Sequence, residues 1–593
     1  MHARYIALIN PGTDADDDGR SGDAASLLRR LKGFDPVLEI EGLIVFSEIQ
    51  SPLMVAREGV LFGTVFSGDE DATHVRSLSA IDWVEVSRSG GRFLIDRFWG
   101  GYLAILPDEA SRQVHVVRSP LGDVPCYHLR RGALTVIASD VALLIAAGCL
   151  RPTIDWAYVT GHLLHDHFRP LATGLAGVTE LLGGTRLTVA PLENRIEELW
   201  SPWTFAARTR QIAEAATASD RVRATTIGCT NAWGSLFRHI VLGVSGGLDS
   251  SIVAACLARG STPVSCITLA TRDARGDERL QARDLTAHLG LPLHEDFEDL
   301  ALVDLCRSDA AHLPRPLARA FAQSGNRLNL DLAERVGADA FFSGAGGDNI
   351  FCYLTSAAPI ADRLLAHGPG PGFFRTARDI SRLTGASIWT AASMGIKRAW
   401  FRQHGYEWPR NATFLTDSAV ERAAVPDRHP WLEAPRTALP GKAAHIAWLL
   451  GIQNHLEGFN REHTHAMVAP LLSQPLVELC LQIPSWMWCA NGENRSIARR
   501  AFSQDLPASV IKRRSKGSPG SFVIEIYEAH REVVRALLSD GLLAQAGLLD
   551  VDAISAVIDD PRPVRAEHYS RIMGLVDVEV WLRSWETRRL GRP

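Results

Sequence analysis

Paired cysteines are absent from this sequence. Its nine cysteines are scattered and no Cys-x-x-Cys occurs, so neither a thiolate zinc site nor a disulfide framework is expected. Reduced, mostly buried thiols are expected instead. A run of about 18 apolar residues is also missing, which argues against a membrane-spanning helix. The opening Met1-His2-Ala3-Arg4-Tyr5-Ile6-Ala7-Leu8-Ile9-Asn10 has too short an apolar stretch and no cleavage site for a signal peptide, so a cytoplasmic location is expected. Excess positive charge is lacking as well. The net charge of −5 gives no support for a nucleic-acid partner. Internal repeats and low-complexity tracts are absent. What remains is 46% apolar and 22% charged, the composition of a soluble globular protein. The 593 residues make roughly three or four units, or two if the α/β domains are large.

The richest stretch is Val241-Leu242-Gly243-Val244-Ser245-Gly246-Gly247-Leu248-Asp249-Ser250-Ser251. The apolar run 240–244 reads as a buried strand, broken by two glycines and resuming as the apolar helix 252–257. Such a turn is an anion site, because backbone N–H groups and the helix dipole both face it. Ser245, Ser250 and Ser251 add hydroxyl donors, and Gly246 and Gly247 allow close approach by a phosphate. No Gly-Lys-Ser/Thr follows, so this is not a Walker A loop. Instead Asp249 sits in the cradle. A carboxylate there repels a polyphosphate unless a cation lies between them, which makes Asp249 a candidate Mg²⁺ ligand.

About a hundred residues later a second strand, Ala340-Phe341-Phe342, runs into Ser343-Gly344-Ala345-Gly346-Gly347-Asp348-Asn349. Asp249 and Asp348 are both strand-end carboxylates, suited to holding Mg²⁺ and triphosphate oxygens between them. Val264–Leu269 reads as the next strand and 277–290 as a helix. This alternation predicts an open parallel α/β sheet, with nucleotide at the C-terminal strand ends and adenine beside the end of strand 264–269. Residues 353–440 read as a helical insertion holding Gly368-Pro369-Gly370-Pro371-Gly372 and basic and aromatic residues, fit either for a peptide or partner or simply as a solvated hairpin with its own small core. The first 200 residues are strand-rich, with β-type runs at 5–9, 42–46, 60–66, 98–106, 114–118, 125–128 and 134–140.

These motifs carry a resemblance. The first loop resembles the pyrophosphate loop of ATP pyrophosphatases. The N-terminal strands resemble the glutaminase domain of class II amidotransferases, with Ser119 replacing the Asp of its Arg-Asp-Pro-x-Gly turn and Asp140 the Glu of its Ala-Ser-Glu. That family's nucleophile is an N-terminal cysteine. Position 2 is His2 and the first cysteine is Cys126, so no glutaminase activity is expected, only a structural or docking role. Taken together the chain resembles the asparagine synthetase B-like family. Gly344-Ala345-Gly346-Gly347-Asp348-Asn349-Ile350-Phe351 is similar to the variant found in lasso peptide cyclases.

The resemblance implies an α/β protein. A β-rich glutaminase-like (Ntn-type) sandwich occupies 1–205, and an ATP-pyrophosphatase-like parallel α/β domain occupies 206–593. It implies nucleotide binding by Leu242, Ser245, Gly246, Gly247, Asp249, Ser250, Ser251, Ser343, Gly344 and Gly347, with Mg²⁺ on Asp249 and Asp348. Pro470 and Leu472 match a further family segment, near which Glu457 is the candidate base or base-orienting residue. Leu506-Pro507 through Lys512 to Lys516-Gly517 resembles the segment whose lysine, here Lys516, contacts ATP phosphates. Ala345 replaces the Glu or Tyr of relatives and has no acid–base capacity. The implied activity is AMP-forming amide ligation. ATP activates an Asp or Glu side chain of a leader-cleaved precursor peptide, and the peptide's N-terminal amine closes a macrolactam. A leader-binding protein and a leader peptidase are the implied partners. The alternative is a β-lactam synthetase-type enzyme acting on a small amino acid.

Overall fold

The computed structural model describes residues 3–11, 31–49, 51–69, 72–122, 124–273, 276–401, 405–423, 429–456, 465–514, 520–560 and 566–589. The first 200 residues supply β1 (Tyr5–Ile9), β2 (Phe34–Ile40), β3 (Leu43–Glu48), β4 (Leu53–Ala56), β5 (Gly59–Ser67), β6 (Phe98–Asp108), β7 (Gln113–Arg118), β8 (Tyr127–Arg131), β9 (Leu134–Ala138), β10 (Thr179–Glu180), β11 (Thr185–Val189) and β12 (Asn194–Glu198). They form two antiparallel sheets of order β10-β8-β9-β1-β3-β2 and β12-β11-β7-β6-β5-β4. Strand alternation explains how the sheets stack. Tyr5, Ala7 and Ile9 face the second sheet and share a core with Phe62, Leu103 and Ile105, where the Tyr5 and Phe62 rings stack at 4.7 Å. Ile6 and Leu8 point the other way, into a cluster with Ile572, Val576 and Trp581 near the C-terminus. Both faces of β1 are covered, which is why its sequence is an unbroken apolar run.

The strand reading of this region passed over its helices. Ala80–Arg88 and Arg92–Arg97 lie between β5 and β6. A capping box starts the first: Ser79 Oγ accepts from Asp82 N–H, and the Asp82 carboxylate accepts from Ser79 N–H.

The second half is built on β13 (Ile240–Gly243), β14 (Val264–Ala270), β15 (Leu293–Phe297), β16 (Ala340–Phe342) and β17 (Ala466–Val468). All four pairings are parallel, in the order β15-β14-β13-β16-β17. Helices Leu248–Leu257, Arg279–Leu289 and Ala322–Val336 lie between successive strands. The chain moves outward from β13 to β15, then returns to the other side of β13 as β16. The loops leaving β13 and β16 therefore diverge and open a crevice at their C-terminal ends, the usual ligand position in such sheets. Between β16 and β17, helices Ala358–His367, Pro371–Thr384 and Ile388–Trp400 gather around Ile360, Phe373, Ala377 and Ile380.

The apolar clusters do not stop at residue 205. Phe66 and Trp99 from the second sheet meet Trp233 at 4.9 and 6.1 Å between rings, within one core that includes β13 and its helix. Polar contacts cross as well. Glu180 of β10, wholly buried, accepts from Arg118 at 2.7 Å, Arg169 at 2.5 Å and Arg315 at 3.1 Å. The N-terminal sandwich is thus packed against the parallel-sheet half through both apolar and ionic contacts.

Candidate active site

At the end of β13 the backbone turns through Gly246 at φ +60, and a Cβ there would lie 2.3 Å from Gln281 Cβ. Only glycine fits that turn without strain. The helix Leu248–Leu257 begins directly after Gly247. The loop's hydroxyls are held unequally. Ser245 reaches Ser250 Oγ only at 3.3–3.4 Å, long for such bonds, so both side chains are loosely engaged. Ser251 Oγ donates firmly to the Gly247 carbonyl at 2.7 Å and serves the first helical turn instead.

The loop after β16 packs against the first. A methyl on Gly344 would fall 2.4 Å from Ser250 N, and one on Gly347 would fall 2.2 Å from Asp249 Cγ. These absent side chains let the two acids converge. Arg495 Nη1 lies 2.9 and 2.8 Å from the two Asp249 oxygens and 2.5 Å from Asp348 Oδ1. Two hard carboxylates that share one cation, beside a phosphate-type turn, fit Mg²⁺ held partly by substrate phosphates. Among the described residues no group of three or more His, Cys, Asp or Glu could hold a metal.

Around these loops is a cavity of about 410 Å³. Ile267, Thr268 and Leu269 from the end of β14 form one wall, and Arg495, Arg499, Arg513 and Arg514 supply positive charge. Arg513 donates to the Ser245 carbonyl at 3.2 Å and to Glu278 at 2.6 Å, tying the loop to the turn before helix Arg279–Leu289. Arg499 donates to the main-chain carbonyls of Asn494, Ile511 and Arg513 and so fixes the segment that presents Arg513. Sequence reasoning missed all four arginines. Arg513 and Arg514 adjoin Lys512 in a stretch already singled out, but Arg495 and Arg499 stand in no motif.

Of the residues expected to bind nucleotide, Ser245, Gly247, Asp249, Ser250 and Gly344 line this cavity. Asp348 meets its edge through Arg495. Gly246 and Gly347 shape the turns from behind. Three of the expected residues have their side chains elsewhere. Leu242 is wholly buried within β13 and its side chain cannot reach a ligand. Ser251 is engaged inside its helix, and Ser343 faces a second cavity. Lys512 is exposed and stands off the wall. Glu457, Lys516 and His2 lie outside the described residues. Cys126 is buried, and burial pushes its thiol up to about 12, so it is not a thiolate nucleophile at neutral pH. Asp140 caps the helix Val141–Ala146 by accepting from Leu143 N–H.

The second cavity, about 760 Å³, adjoins the first, and Gly243, Asn329 and Ala345 line both. Its walls come from the N-terminal sandwich at Trp99 and Arg118, from the parallel sheet at Phe341 and Met467, and from the helix Ala322–Val336. Among the described residues, five arginines (118, 169, 307, 327 and 588) and one carboxylate, Asp309, line it. His455 is also on the wall. Burial first, then His167 and Arg319, lower it to about 4, so its imidazole is neutral at pH 7.

Residues 239–583, more than half of the chain, match the family model described as asparagine synthase. No curated protein matches the chain. Among solved structures, one titled as the allosteric regulatory enzyme of purine biosynthesis is 10% identical, covering 51% of this chain and 76% of that one with a TM-score of 0.20. The glutamine phosphoribosylpyrophosphate amidotransferase from B. subtilis complexed with ADP and GMP is 11% identical, covering 58% and 84% with a TM-score of 0.18. Overlaps this loose do not bear on the fold, which rests on the sheet topology.

Proposed function

The chain belongs to the asparagine synthase family, ATP-dependent carbon–nitrogen ligases that release AMP, and we propose that its substrate is a peptide whose own amine and side-chain carboxylate it joins. The observation that carries this reading is the cavity beyond Ala345. At about 760 Å³ it lies in the upper part of the range of ~300–1,000 Å³ that holds drug-sized ligands, far more than a small amino acid fills. Arg118 and Arg169 are held by Glu180, but Arg307 and Arg327 are exposed and paired only at the surface, with Asp309 and Asp331, and can turn to a chain bearing carboxylates. Ala345, where relatives place a Glu or Tyr, lines both cavities, and in this reading its small side chain leaves room for the substrate carboxylate between them.

In this reading a carboxylate oxygen of the peptide reaches past Ala345 and attacks the α-phosphorus of ATP. An O–P bond forms, the bond to the β-phosphate oxygen breaks, and pyrophosphate leaves with the electron pair. The peptide's N-terminal nitrogen then attacks the activated carbonyl carbon. The C–O bond to AMP breaks, and the nitrogen's surplus proton passes to a base, for which Glu457 is the candidate. Ser245, Ser250 and the N–H groups at the start of the helix Leu248–Leu257 hold phosphate oxygens, joined by Arg513, Arg514 and Lys516. Mg²⁺ on Asp249 and Asp348 would supply charge neutralisation for the polyphosphate. The N-terminal sandwich supplies a wall of the peptide cavity and, in this proposal, a docking surface for a leader-binding protein and leader peptidase.

The test is pyrophosphate release with ATP and Mg²⁺ in the presence of leader-free peptides or small amino acids, with intact peptide mass read on the same samples. Peptide-dependent release with loss of one water, abolished in Asp249→Asn, is the expected result. Release driven by a small amino acid, with peptides inert in the presence of a leader peptidase, would move the enzyme to the β-lactam synthetase type.

A further inference from the structure

We infer that Arg495 is a built-in competitor of the metal, a cation that clamps Asp249 to Asp348 until nucleotide-borne Mg²⁺ displaces it. The inference rests on the nucleotide reading of the smaller cavity and adds how metal and ATP enter together. One Nη1 atom contacts three carboxylate oxygens from two loops, at 2.9, 2.8 and 2.5 Å. That is the point where a metal bound to both acids has to sit. A guanidinium and a divalent cation cannot share it, because both are positive and the surroundings exclude most water: the Arg495 side chain is 7% exposed and that of Asp249 9%.

Arg495 is also poised to leave. It precedes the short helix Ser496–Ala501 with its backbone in the left-handed region, φ 53 and ψ 34, an uncommon conformation for a residue with a side chain. The guanidinium sits 5.1 Å from the Tyr353 ring centroid, and Nε donates to Asn494 Oδ1 at 3.2 Å. Neighbouring Arg499 gives its donors to main-chain carbonyls and the Asn494 amide oxygen and so cannot exchange partners. Arg495 lines the same cavity as the serines of the loop, so on displacement its planar fork meets phosphate oxygens, which it binds bidentately. The device makes free metal a poor ligand and the metal–nucleotide complex a good one. It also keeps two carboxylates from repelling each other across an empty turn.

The experiment measures Mn²⁺ binding by electron paramagnetic resonance, with and without a non-hydrolysable ATP analogue and with no peptide present. In the wild-type protein Mn²⁺ should bind tightly only when the analogue is present. In Arg495→Gln it should bind without nucleotide about tenfold tighter than in the wild type, while Arg495→Lys, which keeps the charge, should stay near the wild type. A purely structural role predicts the opposite sign, weaker metal binding as the loops loosen. With the analogue shown to bind, equal wild-type Mn²⁺ affinity in its presence and absence would overturn the inference even if Arg495→Gln failed to fold, as would a folded Arg495→Gln that binds Mn²⁺ no tighter. Failure of the analogue to bind any of the proteins, with metal still tighter in Arg495→Gln, would overturn the nucleotide reading and leave the clamp standing.

Discussion

Gly347 decides whether the two acids can meet. With a Cβ placed 2.2 Å from Asp249 Cγ, Gly347→Ala forces that carboxylate or the second loop to move. A shift of about an ångström at a reacting centre costs about a hundredfold in rate, and overpacking of this kind costs about 1–3 kcal/mol of stability. Pyrophosphate release at saturating peptide, together with a denaturation midpoint, checks both. An alanine variant as fast as the parent would mean that the placement of Asp249 does not matter. At this scale the sequence was informative wherever the chemistry is local. Ser245, Asp249, Ser250 and Gly344 are readable because glycine, hydroxyl and acid follow a strand within a few residues. Arg495 is not, since it reaches Asp249 from 246 positions away and Asp348 from 147, and no short pattern records such a contact. Leu242 was assigned by its neighbours in the motif, but strand alternation points its side chain into the core.

At the scale of elements, apolar runs marked β1, β5, β6, β13 and β14 because each is covered on both faces and so is continuous. The helices Ala80–Arg88 and Arg92–Arg97 were passed over because both are short and bury only two residues each, with a capping box on the first alone. β10 is only two residues long, yet it carries the ionic centre of the molecule. Burial alone would raise the carboxyl of Glu180, but the guanidiniums of Arg169, Arg315 and Arg118 outweigh it and hold the group well below the usual carboxylate range. Glu180→Gln leaves three arginines without that charge in a buried setting, and a loss of about 3–5 kcal/mol is expected at pH 7. The sign with pH follows from the lowered value. A depressed acid stabilises the fold above its unfolded value of 4.5 and loses that contribution as pH falls below it. The gap between wild type and variant, read from urea unfolding, should therefore narrow below pH 4.5. A gap that is small at pH 7, or constant with pH, would show that the arginines find other partners.

At the scale of the whole molecule, the site depends on where the sheet reverses direction. The order β15-β14-β13-β16-β17 sets the loops after β13 and β16 side by side, and alternation of strands and helices in the sequence foretold a crevice there. The second cavity was not foretold. It forms where the N-terminal sandwich, the parallel sheet and the helix Ala322–Val336 close on one another, and such a space belongs to no segment of the chain. Its junction with the nucleotide cavity at Gly243, Asn329 and Ala345 is the basis of the account. In the proposed reaction a carboxylate lodged on one side is activated by ATP lodged on the other. The most direct test is to supply a peptide whose Asp or Glu side chain carries heavy oxygen and to find where the label goes. Attack at the α-phosphorus followed by amide formation predicts one heavy oxygen in AMP for each ring closed. Label found in inorganic phosphate, with ADP as the nucleotide product, would contradict it.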